Sequence, residues 1–579
     1  MFVRPDLVLL HAPTVYDFRR RTILYGPVAD VIPSLPVFEM YPVGFTTIAE
    51  YLLALGFETR VVNLAYRMLA SAKFDAEKMI ARLRPRLAFG VDLHWLPHAH
   101  GAVETARLAK KHHPDTPVLV GGWASTYFHR ELIEYDCFDY VLRGDSTEVP
   151  VGMLMRALAG GKPSDDQLAA IPNLTWKDRA GQARVNDLTN APVVLDRWGN
   201  NYLNMFKMSI KFGSIGSQIP FHDWWTYPIT AVMTCRGCNQ HCAICGGAGP
   251  AVREYAGREC TAFRPADLVV RDLARLARHT NGPLFIVGDL NQAAPGYADT
   301  VLDGLRRHRV RNNVIFELFD GAPTAYFRRI SDSAPHFNFE MSPETHDENI
   351  RRRGGKRYTN DDVVGAVRDA LAHGAGKFDL YFMIGLTGQT PSSVLETVEW
   401  AGELMDRFDR RLALFISPLA PFLDPGSLAY EHPEQYGYRI LFRDFAAYRE
   451  AIAAPTWKQG LNYETQWMTR DQLVDVTYQA GRRLNRLKFE KGRLDERTYR
   501  YVDERIGRAI DLMAEFDRLL ASGDPELIAR ERARLKQAAD EASTDTVNAP
   551  QEIKWRVLGR NFNYFAIARD ILFGEKNLD

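Results

Sequence analysis

The stretch TCRGCNQHCAIC, residues 234–245, holds four of the chain's six cysteines. It follows directly on a short apolar strand pattern over 229–234, and its spacing is C-x2-C-x3-C-x2-C. A zinc ribbon separates its cysteine pairs by a longer loop, so wrapping one tetrahedral ion here would be cramped. Compact cysteine runs suit iron–sulfur clusters, whose irons spread the ligands over a wider object. The last three, Cys238, Cys242 and Cys245, form CxxxCxxC. Three thiolates on a four-iron cube leave one iron open to a cofactor or substrate. Structural zinc is the alternative reading of these three. Cys235 reads as a small buried residue outside the ligand set, and Cys137 and Cys260 read as ordinary packing.

Working outward, strand and helix patterns alternate on both sides of this run. Downstream, strands are expected over 229–234, 284–287, 314–319, 337–340, 379–384 and 412–417, with helical spacing clearest over 266–278, 361–373 and 392–405. Six consecutive units imply a partial (β/α)6 TIM-like barrel with its site at the strand carboxyl ends. Upstream, strands are expected over 7–10, 59–64, 87–91, 117–120 and 140–142. That pattern implies an α/β, doubly wound Rossmann-like sheet that binds ligands where its strand order reverses. A hairpin over 174–185 turns around 178–181. An aromatic-rich connector follows, with Trp198, Tyr202, Phe206, Phe212, Phe221, Trp224, Trp225 and Tyr227, and reads as inter-domain packing or as a lid over a flat cofactor. The tail is helical and charged, clearest over 471–488 and 496–520, with a loop over 543–550. The domain reading is 1–150, 151–228, 229–430 and 431–579.

Composition narrows the class. The chain has 579 residues, with 72 basic and 72 acidic side chains and a formal net charge of zero. That balance lacks the electrostatic footprint of a nucleic-acid binder. No apolar run reaches the length of a transmembrane segment. The start of the chain lacks a secretory pattern, so a cytoplasmic protein is expected. Two arginine runs, 19–21 and 351–353, read as solvated basic faces, with phosphate or carboxylate binding as the alternative.

The cysteine run closely resembles that of the radical S-adenosylmethionine enzymes. Residues 234–238 are similar to the T-S-R-G-C opening of one large branch, in which serine usually stands at the place of Cys235. That branch usually has an aromatic residue near the adenine just before the last cysteine; here Ile244 offers apolar contact without stacking. The resemblance implies that Gly288 and Asp289 face the methionine amino group and that Glu317, Glu340, Ser342 and Gly385 belong to the S-adenosylmethionine site. It also implies an element around Lys356 and Thr359 beside Glu340 and Ser342, and a turn over 385–390 in which Thr387 replaces the usual proline.

The upstream sheet resembles the cobalamin-binding domain fused to this branch. Tyr41 to Phe45 (YPVGF), Val118 to Ser125 (VLVGGWAS) and Tyr140 to Glu148 (YVLRGDSTE) carry the likeness. Gly121, Gly122 and Gly144 would let the backbone approach a corrin ring, or would only make tight turns. The first strand lacks the D-x-H-x-x-G motif of many cobalamin enzymes, but Asp92-Leu93-His94-Trp95-Leu96-Pro97 follows the third. His94 is thus a candidate for the lower face of cobalt, with Asp92 fixing its tautomer; the alternative is a loop histidine. His98 and His100 are weaker candidates.

The resemblance implies a 4Fe-4S cluster, S-adenosylmethionine and cobalamin as cofactors, an external electron donor, and methylation of an unactivated carbon. One S-adenosylmethionine would methylate cobalamin, and a second would be cleaved to a radical that takes hydrogen from the substrate. The alternatives are ring closure or rearrangement with the same cofactors, and a sensor without turnover. The substrate is left open among small molecules, lipids and peptides, and no catalytic side chain is read from the sequence.

Overall fold

The computed structural model describes residues 4–27, 39, 42–196, 199, 201–213, 216, 219–544 and 546–574. Tyr41 and Trp198 lie outside them. Runs such as Leu7-Val8-Leu9-Leu10 show no polar alternation, as strands buried on both faces require, and they form the first sheet. Its strands are β1 (Leu7–His11), β2 (Thr59–Asn63), β3 (Ala88–Asp92), β4 (Val118–Gly121), β5 (Tyr140–Leu142), β6 (Leu174–Lys177) and β7 (Ala183–Val185). The order is β2-β1-β3-β4-β5-β6-β7. The first five are parallel, and the strand order reverses between β1 and β3. The expected hairpin is present, with Asp178 Oδ1 accepting from the backbone N–H of Ala180 and Gln182 across its turn. It does not stand apart from the sheet: β6 pairs antiparallel on β5, which carries the sheet on to Val185.

The second sheet begins with β8 (Thr230–Met233). A two-residue strand β9 (Cys235–Arg236) follows and pairs antiparallel with β10 (Ala262–Phe263). Then come β11 (Leu284–Val287), β12 (Val314–Leu318), β13 (Phe337–Glu344), β14 (Lys377–Ile384) and β15 (Leu412–Pro418). The sheet is β8-β11-β12-β13-β14-β15, parallel throughout, which is the expected partial barrel. Helices Ala266–His279, Asn360–Ala372 and Pro391–Arg407 cover it where the 3.6-residue spacing placed them. The fourth barrel strand runs four residues past its expected end at Glu340, because a register irregularity between Met341 and Glu344 lets pairing resume.

Beyond the barrel, β16 (Tyr438–Ile440) and β17 (Tyr463–Thr465) form a small antiparallel pair. The tail holds the expected helices Arg470–Glu490 and Glu496–Ala521 and a further one, Pro525–Ala542. The connector's aromatics pack as inter-domain core: Trp224 and Trp225 meet Phe562 of the tail with ring centroids 5.0 and 5.5 Å apart. No helix among the described residues is long and apolar enough to cross a membrane.

Candidate active site

The cluster loop leaves the carboxyl end of β8. Cys238 Sγ accepts from the backbone N–H of Gln240 and Cys245 Sγ from that of Gly247, each at 3.4 Å. Such amide donors stabilise sulfur as thiolate. Desolvation pushes the Cys242 thiol up to about 11, opposed by nearby Lys356. Among the described residues, the group of three His, Cys, Asp or Glu ligand atoms gathered within 4.8 Å is His11, Asp92 and His98. The three cysteine sulfurs are spread more widely than that, which suits a multi-iron cluster and not one zinc ion. Cys235 lies one step earlier, on β9, opposite Phe263 and against Gly288, and burial pushes its thiol up to about 11.

A second loop braces the first. The backbone N–H of Ala243 donates to Gly354 O at 2.9 Å. Gly355, at φ +93°, lies where a Cβ would be 2.3 Å from His241 O, so only glycine lets the two loops touch. Lys356 Nζ and Tyr358 Oη both donate to Ser342 O, at 2.5 and 2.9 Å. The element expected beside Glu340 and Ser342 is therefore in place. Burial works against the Lys356 charge, but Glu344, 2.7 Å away, holds it protonated. In the arginine run 351–353, Arg352 and Arg353 are exposed as expected, but Arg351 is wholly buried, donating to the carbonyls of Pro343, Thr345 and Tyr358 and to Asn360. Arg19 of the other run is likewise tied down, to Asp17 at 2.7 Å.

The barrel lumen is a cavity of about 540 Å³ lined mostly by apolar groups, with Glu340, Ser342 and Glu344 among the exceptions. The strand register sets Glu317, Glu340 and Asp379 side by side on β12, β13 and β14. Loss of solvent pushes Glu317 up to about 7, aided by Asp289. It pushes Glu340 further above the carboxylate range, aided by Glu317 and Asp379. Two such neighbours share at least one proton at neutral pH. Glu317 also accepts from the Gly288 N–H.

Asp289 has a local structural role as well: its two carboxylate oxygens accept the N–H groups of Asn291 and Phe319, both at 2.9 Å, so it caps a turn. Gly385 makes room for protein: a Cβ there would lie 2.3 Å from Tyr463 Oη. Ile244 is 5% exposed and packs in the main core.

In the first sheet, β1 ends on His11 and β3 on Asp92, at the point where strand order reverses. Asp92 meets His94 Nδ1 at 2.7 Å, as expected, and also His11 Nδ1 at 3.0 Å. Burial works to raise the Asp92 pKa, but the two imidazoles overcome it and hold the carboxyl well below its usual range. With Nδ1 given to a carboxylate, His94 presents the lone pair of Nε2, on a ring 30% exposed. His98 Nδ1 pairs with Ala12 O, and His100 Nδ1 accepts from the Tyr16 N–H. Gly122, at φ +123°, gives close approach to the chain itself, since a Cβ there would lie 2.5 Å from the His94 backbone. Gly144 sits against Asn173, while Gly121 touches only Leu142 and keeps open space.

Sequence reasoning missed what joins the two sheets. Arg236, inside the cluster loop, donates to Glu148 Oε1 and Oε2 at 2.5 and 3.0 Å and to Ser146 Oγ at 2.8 Å. Arg258 holds Asp145 at 2.5 and 2.9 Å. These acidic partners follow β5, so the carboxyl ends of both sheets face each other across buried bidentate pairs.

Residues 34–153 match the family model of the B12 binding domain, and residues 232–401 that of the radical SAM superfamily. The chain belongs to the cobalamin-binding radical S-adenosylmethionine enzymes, whose cofactors are cobalamin, a 4Fe-4S cluster and S-adenosylmethionine. Among solved structures it is similar to TsrM from Kitasatospora setae, a radical S-adenosylmethionine methyltransferase seen with tryptophan substrate and the analogue aza-SAM. That likeness has 17% identity and a TM-score of 0.54, over 76% of this chain and 79% of that one. TsrM with cobalamin and its 4Fe-4S cluster gives a TM-score of 0.53. OxsB, a cobalamin-dependent S-adenosylmethionine radical enzyme solved with aqua-cobalamin, gives 11% identity and a TM-score of 0.51, over 95% of this chain and 78% of that one. At these identities the likeness is one of fold. No curated protein matches the chain.

Proposed function

We propose that this enzyme methylates an unactivated carbon of its substrate. The observation that carries the reading is the pairing of Arg236 with Glu148, which sets the cluster loop against the ligand-binding edge of the cobalamin sheet. Two cofactors held edge to edge suit a reaction that needs both on one substrate atom. When bound, the cluster and S-adenosylmethionine supply hydrogen-atom abstraction, and cobalamin supplies a methyl carrier.

The chain's own residues do the rest. Cys238, Cys242 and Cys245 hold the cluster, and Cys235 stays outside the ligand set. Glu317, Glu340, Ser342 and the Gly288 and Gly385 turns line the place of S-adenosylmethionine, with Ile244 as apolar support behind the loop. Gly121 and Gly144 would let the backbone approach the corrin, and His94, oriented by Asp92, would offer its Nε2 to cobalt. The apolar lumen excludes water and suits an apolar part of the substrate. An external donor supplies the electron. The functional units follow 1–150, 151–228, 229–430 and 431–579, with the β6–β7 hairpin assigned to the first sheet.

The test uses anaerobically purified enzyme from cells supplied with cobalamin. About four irons and one cobalt per chain are expected, with Cys235→Ser retaining the iron and Cys242→Ser losing it. With methyl-labelled S-adenosylmethionine and extracts as substrate source, a product carrying one labelled methyl is expected. Label-free product made with both cofactors present would favour ring closure or rearrangement. Nitrogen splitting in the cobalt(II) EPR spectrum, lost in His94→Ala, is expected; a spectrum unchanged by that substitution removes His94 from cobalt.

A further inference from the structure

Beneath the barrel lies a second chamber, of about 520 Å³, between the amino ends of β13 to β15 and the tail. It is at the opposite end from the cluster loop, where barrels of this kind place no chemistry. Its wall carries seven lysines and arginines against a single carboxylate, Glu552. Four of the cations are committed. Lys377 lies 3.0 Å from Asp379, Arg411 2.7 Å from Asp409, Lys488 2.6 Å from Glu552, and Lys554 3.1 Å from Asp223. Arg410, Arg493 and Arg556 have no carboxylate partner among the described residues.

Two donors on the wall also lack acceptors. Asn338, 3% exposed and beside Lys377 in the strand register, has a buried Nδ2 that donates to nothing. Arg493 gives Nη2 to the carbonyls of Met405 and Phe408, but its Nη1 is buried without an acceptor. Buried donors left unmet beside surplus positive charge call for a group that only accepts and carries negative charge. Phosphate and carboxylate are the biological groups of that kind, and arginine forks match both. The chamber is larger than either group alone, and Trp555, Leu412 and Leu414 give it apolar wall for an organic body.

We propose that this chamber binds a small organic anion through a phosphate or carboxylate group held by Arg410, Arg493, Arg556 and the Asn338 amide. The site is independent of the methylation reading. It is tested by calorimetry on the holoenzyme, with inorganic diphosphate and citrate as probes at near-physiological salt. Saturable binding of at least one probe at one site per chain is expected, weakening as salt rises. The tighter probe identifies the group. Arg410 and Arg556 are exposed, so Arg410→Gln/Arg556→Gln should leave the melting temperature unchanged while weakening binding about tenfold or more. Absence of saturable binding, or binding equally tight in the double variant, would overturn the proposal.

Discussion

Glu317 and Glu340 show how a single side chain can be placed against its own stability. The folded chain keeps Glu317 at about 7, against an ordinary 4.5. Between those values the native state retains a proton that the unfolded chain has lost. Stability is therefore intact below about pH 4.5 and falls as pH rises through about 7. A Glu317→Gln substitution removes this cost and still accepts the Gly288 N–H. The cofactor-free variant should match wild type near about pH 5 and exceed it near about pH 8, by on the order of 2 kcal/mol. Denaturant melts at the two pH values check this; a variant weaker at about pH 8 would mean that Glu317 is ionised without strain. Such strain is expected where a site must receive a cation. These residues were legible because a glutamate near each strand end stands out in an apolar run. The capping role of Asp289 was not legible, because an acidic residue two before Asn291 looks the same in sequence whether it caps a turn or faces a ligand.

At the scale of elements, the strands were legible because burial on both faces leaves continuous apolar runs, and the helices because amphipathic spacing persists over a dozen residues. The docking of the cluster loop on the first sheet was not. Arg236 and Glu148 are 88 residues apart, and nothing local in either marks the other. The same holds for Arg351, whose run of three arginines looks solvated but whose carbonyl partners lie in the returning strand and loop. The docking has a measurable consequence. Glu148 is 1% exposed and also accepts the Thr47 hydroxyl at 2.7 Å, so Arg236→Ala leaves a buried carboxylate without its guanidinium counter-charge. The loss should be about 3 kcal/mol or more at the interface. Hydrogen exchange should quicken over 145–148 and 235–245 while the inner barrel strands stay protected. Unchanged exchange in both segments would show that the loops hold their positions without this pair.

The whole molecule closes the lumen with parts drawn from four regions, the first domain contributing Val43 and Thr46. The connector supplies Tyr202 and Phe221, the barrel Phe285 and Tyr381, and the tail Ile553 and Trp555. The tail is therefore more than a cap on the outside: Trp555 stacks on Phe285 at 6.0 Å and also walls the chamber below. A sequence reading could see the helices of the tail but not this one tryptophan, because its role depends on where the chain returns after the three long helices that end at Ala542. Trp555→Ala should open the partition between lumen and lower chamber and cost about 3 kcal/mol in buried aromatic surface. The expected readout is a lower melting temperature for the purified enzyme, together with a larger share of S-adenosylmethionine cleaved without methylated product, since water would reach the lumen. The two effects separate the roles. A lower melting temperature with cleavage still coupled to product would make Trp555 a packing residue alone. Uncoupled cleavage at unchanged melting temperature would make the tail part of the reaction chamber without being part of its support.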